Sequence, residues 1–258
     1  MNTLRVERHD AVLRVTLDRP DRQNSIDETL LGELHAVLDG VHRDPDVRVV
    51  ALAATGPVFC SGMDLAGAGD ASGASGSPDD AAARGGGAFY ALLERLTTID
   101  RVVVSTVDGR VTGGGVGLVA ASDLVYATER SSFGLPEALW GLLPCCVLPF
   151  LVRRVGFQPA YAMTLSTLPV PAERAERIHL VDQVVADLQV PLRSLTARLV
   201  RMDRSTLGDA KRYLARFGPP IAGVRDAAVA ELVRLMAAPA AVERLAAFAS
   251  HGRLPWER

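Results

Sequence analysis

The chain has 258 residues, 48% of them apolar and 22% charged, with a formal net charge of −2. That length suits one large domain, or one domain with a small appendage, and leaves ample chain for a real core. So small a charge gives no global field towards nucleic acid or an anionic membrane, and no apolar run reaches the roughly 18 residues of a membrane span. The opening residues 1–7 lack the apolar core of a signal peptide. Three cysteines, Cys60, Cys145 and Cys146, are odd in number and two are adjacent. That is a poor disulfide framework, so a cytoplasmic protein with reduced thiols is expected.

Residues 4–8 and 12–17 alternate in character around His9-Asp10 and are predicted as two strands of a hairpin. Residues 18–25 form a polar, breaker-rich loop. Residues 26–41 then carry Leu30, Leu31, Leu34, Val37, Leu38 and Val41 at helical spacing. A short apolar run at 47–53 reads as a buried strand. From 67 to 87 the chain holds little but Gly, Ala, Ser and Asp. This stretch is predicted as a mobile surface loop, either a lid over a site or a functionless insertion. Residues 89–96 form a short helix, 101–107 another buried strand, 113–121 a glycine run opening an apolar helix, and 123–127 a further strand. Beyond Gly134 the chain reads as helical, with breaks at Pro144, Pro159, Pro169, Pro191 and Pro219-Pro220. The order implies an α/β fold with parallel crossover units and a helical C-terminal region.

Three elements carry chemistry. Phe59-Cys60-Ser61-Gly62-Met63-Asp64-Leu65 follows the strand at 47–53, on the side where ligands collect in open α/β sheets. Gly62 permits a backbone geometry that turns the next N–H towards a ligand; the plainer reading is an ordinary strand-to-loop turn. Gly113-Gly114-Gly115 stands between a strand and a helix, where unpaired N–H groups and the helix dipole suit a developing oxyanion. Tight helix–sheet packing would use the same glycines. The spacing matches neither a phosphate-binding loop nor a dinucleotide fingerprint. Glu137, in Phe133-Gly134-Leu135-Pro136-Glu137, lies among apolar residues. If buried it has a raised pKa and suits a general base on a carbon acid; otherwise it supports a helix N-terminus.

In combination these phrases, with Arg19-Pro20, Asn24-Ser25 and Ser122-Asp123-Leu124, resemble the crotonase, or enoyl-CoA hydratase/isomerase, superfamily from about residue 3 to about residue 185. The resemblance implies a crotonase-like spiral of β-β-α units. It implies a core over 1–195 and a helical trimerisation region over 196–258, assembled as a homotrimer or hexamer. It also implies that the N–H groups of Met63 and Gly114 form an oxyanion hole for a thioester carbonyl. Family hydratases use two glutamates. Glu137 matches the second, and Gly117 stands where the first would be. Hydration of simple enoyl thioesters is therefore not expected, whereas proton abstraction α to the thioester remains.

The 141–156 stretch, the Met163-Thr164-Leu165 region and the closing Pro255-Trp256-Glu257 resemble the dehydratases of polyketide β-branching cassettes, which also lack the first glutamate. The resemblance then implies dehydration of 3-hydroxy-3-methylglutaryl on an acyl carrier protein to 3-methylglutaconyl. Asp64 is the candidate second acid, with a turn-forming role as the plainer reading. Tyr90 and Gly113 are candidate substrate contacts, although a Tyr on an amphipathic helix is more often core. No metal and no cofactor is expected, and the partners are acyl-ACP or acyl-CoA, with no nucleic acid or membrane. Two other readings stay open: a Δ3,Δ2-enoyl-CoA isomerase, and a non-catalytic relative that binds acyl-ACP.

Overall fold

The computed structural model describes residues 1–64, 77–252, 254 and 255. Strands β1 (Leu4–His9) and β2 (Val12–Leu17) pair antiparallel as the hairpin predicted from their alternation. Helix α1 (Glu28–Arg43) buries Leu30, Leu31, Leu34, Val37, Leu38 and Val41, the stripe visible in the sequence. Its N-cap Asp27 accepts from the Leu30 N–H at 2.8 Å, which satisfies one of the unpaired donors of the first turn.

From β3 (Val49–Ala54) onwards the chain repeats one pattern. A strand of a large sheet is followed by a three-residue strand of a small sheet, and then by a helix or helical turn. The repeats are β3, β4 (Val58–Cys60) and α2 (Pro78–Thr98); then β5 (Val102–Val107), β6 (Arg110–Thr112) and α3 (Gly114–Ala121); then β7 (Leu124–Ala127), β8 (Ser132–Gly134) and a single 3-10 turn, Glu137–Trp140. The main strands pair parallel, β2 to β3 to β5 to β7, and the short strands pair parallel, β4 to β6 to β8. This is the β-β-α spiral of the crotonase fold. The strands of the large sheet are covered on both faces, which explains their near-continuous Val and Ala.

The chain continues through α4 (Leu148–Val155), α5 (Phe157–Ser166), β9 (Val170–Pro171), α6 (Ala172–Arg177), β10 (Gln183–Val184), α7 (Gln189–Leu199), α8 (Arg204–Leu214), α9 (Arg225–Met236) and α10 (Pro239–His251). The expected division at 195/196 falls within α7. Leu192, Leu199 and Leu207 cover Val49, Ala51, Val104 and Tyr126 on the outer face of the large sheet. The only lysine, Lys211 on α8, donates to the carbonyls of Leu96 and Arg101 and, at 2.7 Å, to Asp123. Among the described residues no helix is long and apolar enough to cross a membrane.

Two expectations need correction. Of the loop predicted over 67–87, residues 67–76 lie outside the described residues, but the remainder is helical from Pro78. Ser77 and Asp80 form a reciprocal capping box with Pro78 at the first position. Leu232 of α9 packs directly on Gly86. Capping and tertiary cover together outweigh the poor helix propensity of Gly85-Gly86-Gly87. The chain beyond Gly134 is also not wholly helical. β9 pairs with β8 and β10 with β7, each over two residues, too short to show any period in the sequence.

Candidate active site

The first element is a strand-like segment held against Ile26. The Ile26 N–H donates to the Gly62 carbonyl at 2.7 Å, and the Asp64 N–H donates to the Ile26 carbonyl at 2.9 Å. Met63 thus forms a parallel bridge with Ile26, and in that geometry its own N–H faces the opposite side. Gly62 has φ +92°, a conformation that glycine adopts without strain. A Cβ on Gly62 would stand 3.1 Å from the Gly114 nitrogen and 3.3 Å from Gly113 Cα. The two glycine-bearing segments therefore touch backbone to backbone.

The second element starts α3. Gly113 has φ +55° and precedes the first helical residue, Gly114. The Gly114 N–H has no acceptor within its own helix and lies at the positive end of the dipole. Gly115 could not be larger, because a Cβ there would stand 2.7 Å from the Cys60 carbonyl. Tight packing and a donor without an acceptor in its own helix therefore coexist in one glycine run.

The third element is tied to the second, since the Gly113 N–H donates to the Gly134 carbonyl at 3.0 Å. Three residues on, Glu137 opens the 3-10 turn, which closes with Gly141 at φ +81° and a 3.0 Å bond from the Leu142 N–H to the Glu137 carbonyl. Glu137 Oε1 lies 3.2 Å from where a Gly113 Cβ would be. Glu137 as a residue is half-buried, yet its Oε2 is sealed from solvent with no hydrogen-bond partner among the described residues. Burial pushes its carboxyl up to about 7, against the smaller opposing effect of its own N–H. Gly62, Met63, Gly113, Gly114 and Glu137 are thus gathered in one place, where two glycine-bearing backbone segments meet and a carboxyl pushed up to about 7 stands against Gly113.

The position of the missing glutamate is filled by neighbours. A Cβ on Gly117 would meet Leu93, Phe89 and Val147, each at 3.1 Å, so a side chain there would need all three neighbours to give way. Phe89, which the sequence reading passed over, has its ring 3.3 Å from a Cβ position on Gly114. Its only signal in the sequence is its place as the first large apolar residue after the glycine run. Asp64 Oδ2 accepts from Ser25 Oγ at 3.3 Å and pairs with Arg22 at 3.4 Å. Tyr90 lies in the core with its ring tilted against Phe150, and its hydroxyl donates to the Ile221 carbonyl at 2.6 Å. Burial raises the thiols of Cys145 to about 11 and Cys146 to about 12. They remain protonated, as packing residues do. Among the described residues no group of three or more His, Cys, Asp or Glu could hold a metal ion.

The enoyl-CoA hydratase/isomerase family pattern matches residues 7–217. The chain is 31% identical over 261 residues to the bacillaene synthase dehydratase PksH of Bacillus subtilis, covering 99% of this chain and 96% of that one. It is 34% identical over 183 residues to the mevalonyl-coenzyme A hydratase of Beauveria bassiana, covering 68% and 64%. The crystal structure of PksH from Bacillus subtilis superposes with a TM-score of 0.88 at 31% identity, over 98% of this chain and 99% of that one.

Proposed function

The chain belongs to the enoyl-CoA hydratase/isomerase family, whose hydratases and dehydratases are carbon–oxygen lyases, and from that premise we propose that it dehydrates 3-hydroxy-3-methylglutaryl on an acyl carrier protein to 3-methylglutaconyl. The thioester carbonyl accepts from the Met63 and Gly114 N–H groups, which stabilise the enolate as it forms. Glu137 removes the C2 proton. The enolate then expels the C3 hydroxyl, forming the C2=C3 bond, and the hydroxyl leaves as water with a proton from Glu137 or Asp64.

One observation carries this reading: the Glu137 carboxyl stands beside Gly113 through its Oε1, while its Oε2 is buried with no hydrogen-bond partner among the described residues. A fully satisfied structural carboxylate would not be left so. Gly117 supports a substrate that needs little acid assistance, and a tertiary C3–O bond is such a case. Mevalonyl, the group named for one relative, is likewise a 3-hydroxy-3-methyl acid. The dehydratase PksH matches over nearly the whole chain. Assembly as a trimer or hexamer is supported by the stripe of exposed Phe157, Tyr161 and Leu165 on α5, continued by Leu168.

The test compares the wild-type chain with Glu137→Gln. Its substrates are 3-hydroxy-3-methylglutaryl on an acidic carrier protein, the same acyl group on CoA, and a 3-enoyl-CoA. We expect dehydration of the branched thioester, faster on the carrier protein, and at least ~10²-fold lower kcat for Glu137→Gln. Turnover of the 3-enoyl-CoA alone would make the protein an isomerase, and near-wild-type turnover by Glu137→Gln would remove the base.

A further inference from the structure

The turn that carries Glu137 has two sides. On the inner side its carboxyl faces Gly113. On the outer side it does not join the main core. Trp140, the last residue of the turn, forms a separate buried cluster with Leu142 and Ala241, closed by Leu235 and Met236 of α9 and Leu245 and Phe248 of α10. The Trp140 ring meets Phe248 nearly perpendicular, at 83°, with centroids 5.2 Å apart. Arg244 of α10 crosses Gly141, where its guanidinium stands 2.8 Å from a Cβ position. The turn itself is only four residues long in 3-10 geometry, a form with weak hydrogen bonds of its own. Its position is set by what packs against it.

We propose that α10 acts in catalysis as the clamp on this turn, with Phe248 and Trp140 as positioning residues that hold the Glu137 carboxyl sealed against Gly113. The proposal rests on Glu137 being the base. Removing the Phe248 ring opens space behind Trp140. The turn can then settle outwards, water reaches Oε2, and the desolvation that raises the Glu137 carboxyl is relieved. The charged groups around the turn are Arg244 at Gly141, and Glu231 and Arg234 on α9, which act on Cys145 together with Glu137. A Phe248 substitution leaves all of them in place, so a changed titration reports solvation of the carboxyl.

The experiment uses the full chain with Phe248→Ala, and Phe248→Leu as the conservative variant. The titration midpoint of Glu137 is read by carbon-13 NMR of glutamate-labelled protein, assigned by its loss in Glu137→Gln. Steady-state kinetics on the 3-hydroxy-3-methylglutaryl thioester run alongside. We expect the midpoint of Phe248→Ala to fall by about one pH unit. Its kcat should drop about tenfold with KM within about twofold, and Phe248→Leu should recover most of both. A role confined to stability would lower the amount of folded protein and leave the midpoint in place. An unmoved midpoint in folded Phe248→Ala, or in Trp140→Phe should the former not fold, overturns the proposal alone. A wild-type chain that turns over no acyl thioester removes the base assignment and the proposal with it.

Discussion

The burial that suits Glu137 to proton abstraction also weakens the fold above neutral pH, and that can be measured without any substrate. The Glu137 carboxyl titrates near its ordinary 4.5 when unfolded and near about 7 when folded. Below 4.5 both states hold the proton, and well above 7 neither does. Between those values the folded chain binds more protons than the unfolded one, so stability falls as pH rises through the window. This is the reverse of a salt-bridged carboxylate, whose stabilisation is lost on acidification. The span corresponds to roughly 3 kcal/mol at about 1.4 kcal/mol per pH unit, of which roughly 2.5 kcal/mol falls between pH 5 and pH 8. Glu137→Gln abolishes the titration. Its amide places a polar atom where Oε2 finds no partner among the described residues, a loss of about 1–3 kcal/mol that does not vary with pH. The informative quantity is therefore the change in the difference between the two proteins. In reversible urea unfolding we expect Glu137→Gln to gain roughly 2.5 kcal/mol on the wild type in going from pH 5 to pH 8. A difference that stays constant over that range would show that the carboxyl is solvated, and the argument from burial to basicity would be refuted.

Gly117→Glu places a side chain against Leu93, Phe89 and Val147. We expect it to lose about 2–4 kcal/mol in urea unfolding and to gain no hydration of an unbranched 2-enoyl-CoA. A well-folded, active hydratase would contradict this account of α3. Gly85→Ala and Gly86→Ala should diverge, since a Cβ on Gly85 meets nothing within 4 Å while one on Gly86 stands 2.7 Å from Leu232. The first should raise stability by about 1 kcal/mol and the second lower it by about 1–3 kcal/mol. Equal effects would contradict the packing of α9 on α2.

Long periodic segments were legible in the sequence. The six apolar residues of α1 fixed both its existence and its buried face, and the valines of β5 marked a covered strand. What escaped was set by partners distant in the chain. β4, β6 and β8 are three residues each and exist because they pair with one another, which no local pattern records. The start of α2 reads as a mobile surface loop until Leu232 covers Gly86. At the site, the glycines and Glu137 stood out because their residue types are unusual in their settings. The packing that gives them meaning did not. Nothing local links Trp140 to Phe248, more than a hundred residues away.

The packed surroundings of Gly117 also bear on how the proposed reaction ends. With Phe89, Leu93 and Val147 packed against Gly117 on α3, no carboxyl stands at that position, and the proposed proton donors to the departing hydroxyl are Glu137 and Asp64. Asp64 Oδ2 already pairs with Arg22 at 3.4 Å and accepts from Ser25 Oγ at 3.3 Å, whereas Glu137 Oε2 has no hydrogen-bond partner among the described residues. Glu137 has just become protonated by taking the C2 proton. In a sealed site, with its carboxyl balanced near about 7, it can give that proton up as readily as it took it. A single carboxyl serving both steps reaches only one face of the acyl chain, so the C2 hydrogen and the C3 hydroxyl must leave from the same side. The tertiary carbon eases the second step, because the C–O bond can stretch far towards cleavage before the proton arrives. The lone glutamate and the branched substrate are thus parts of one requirement: the absent second acid narrows the acyl groups to those whose hydroxyl leaves with little help.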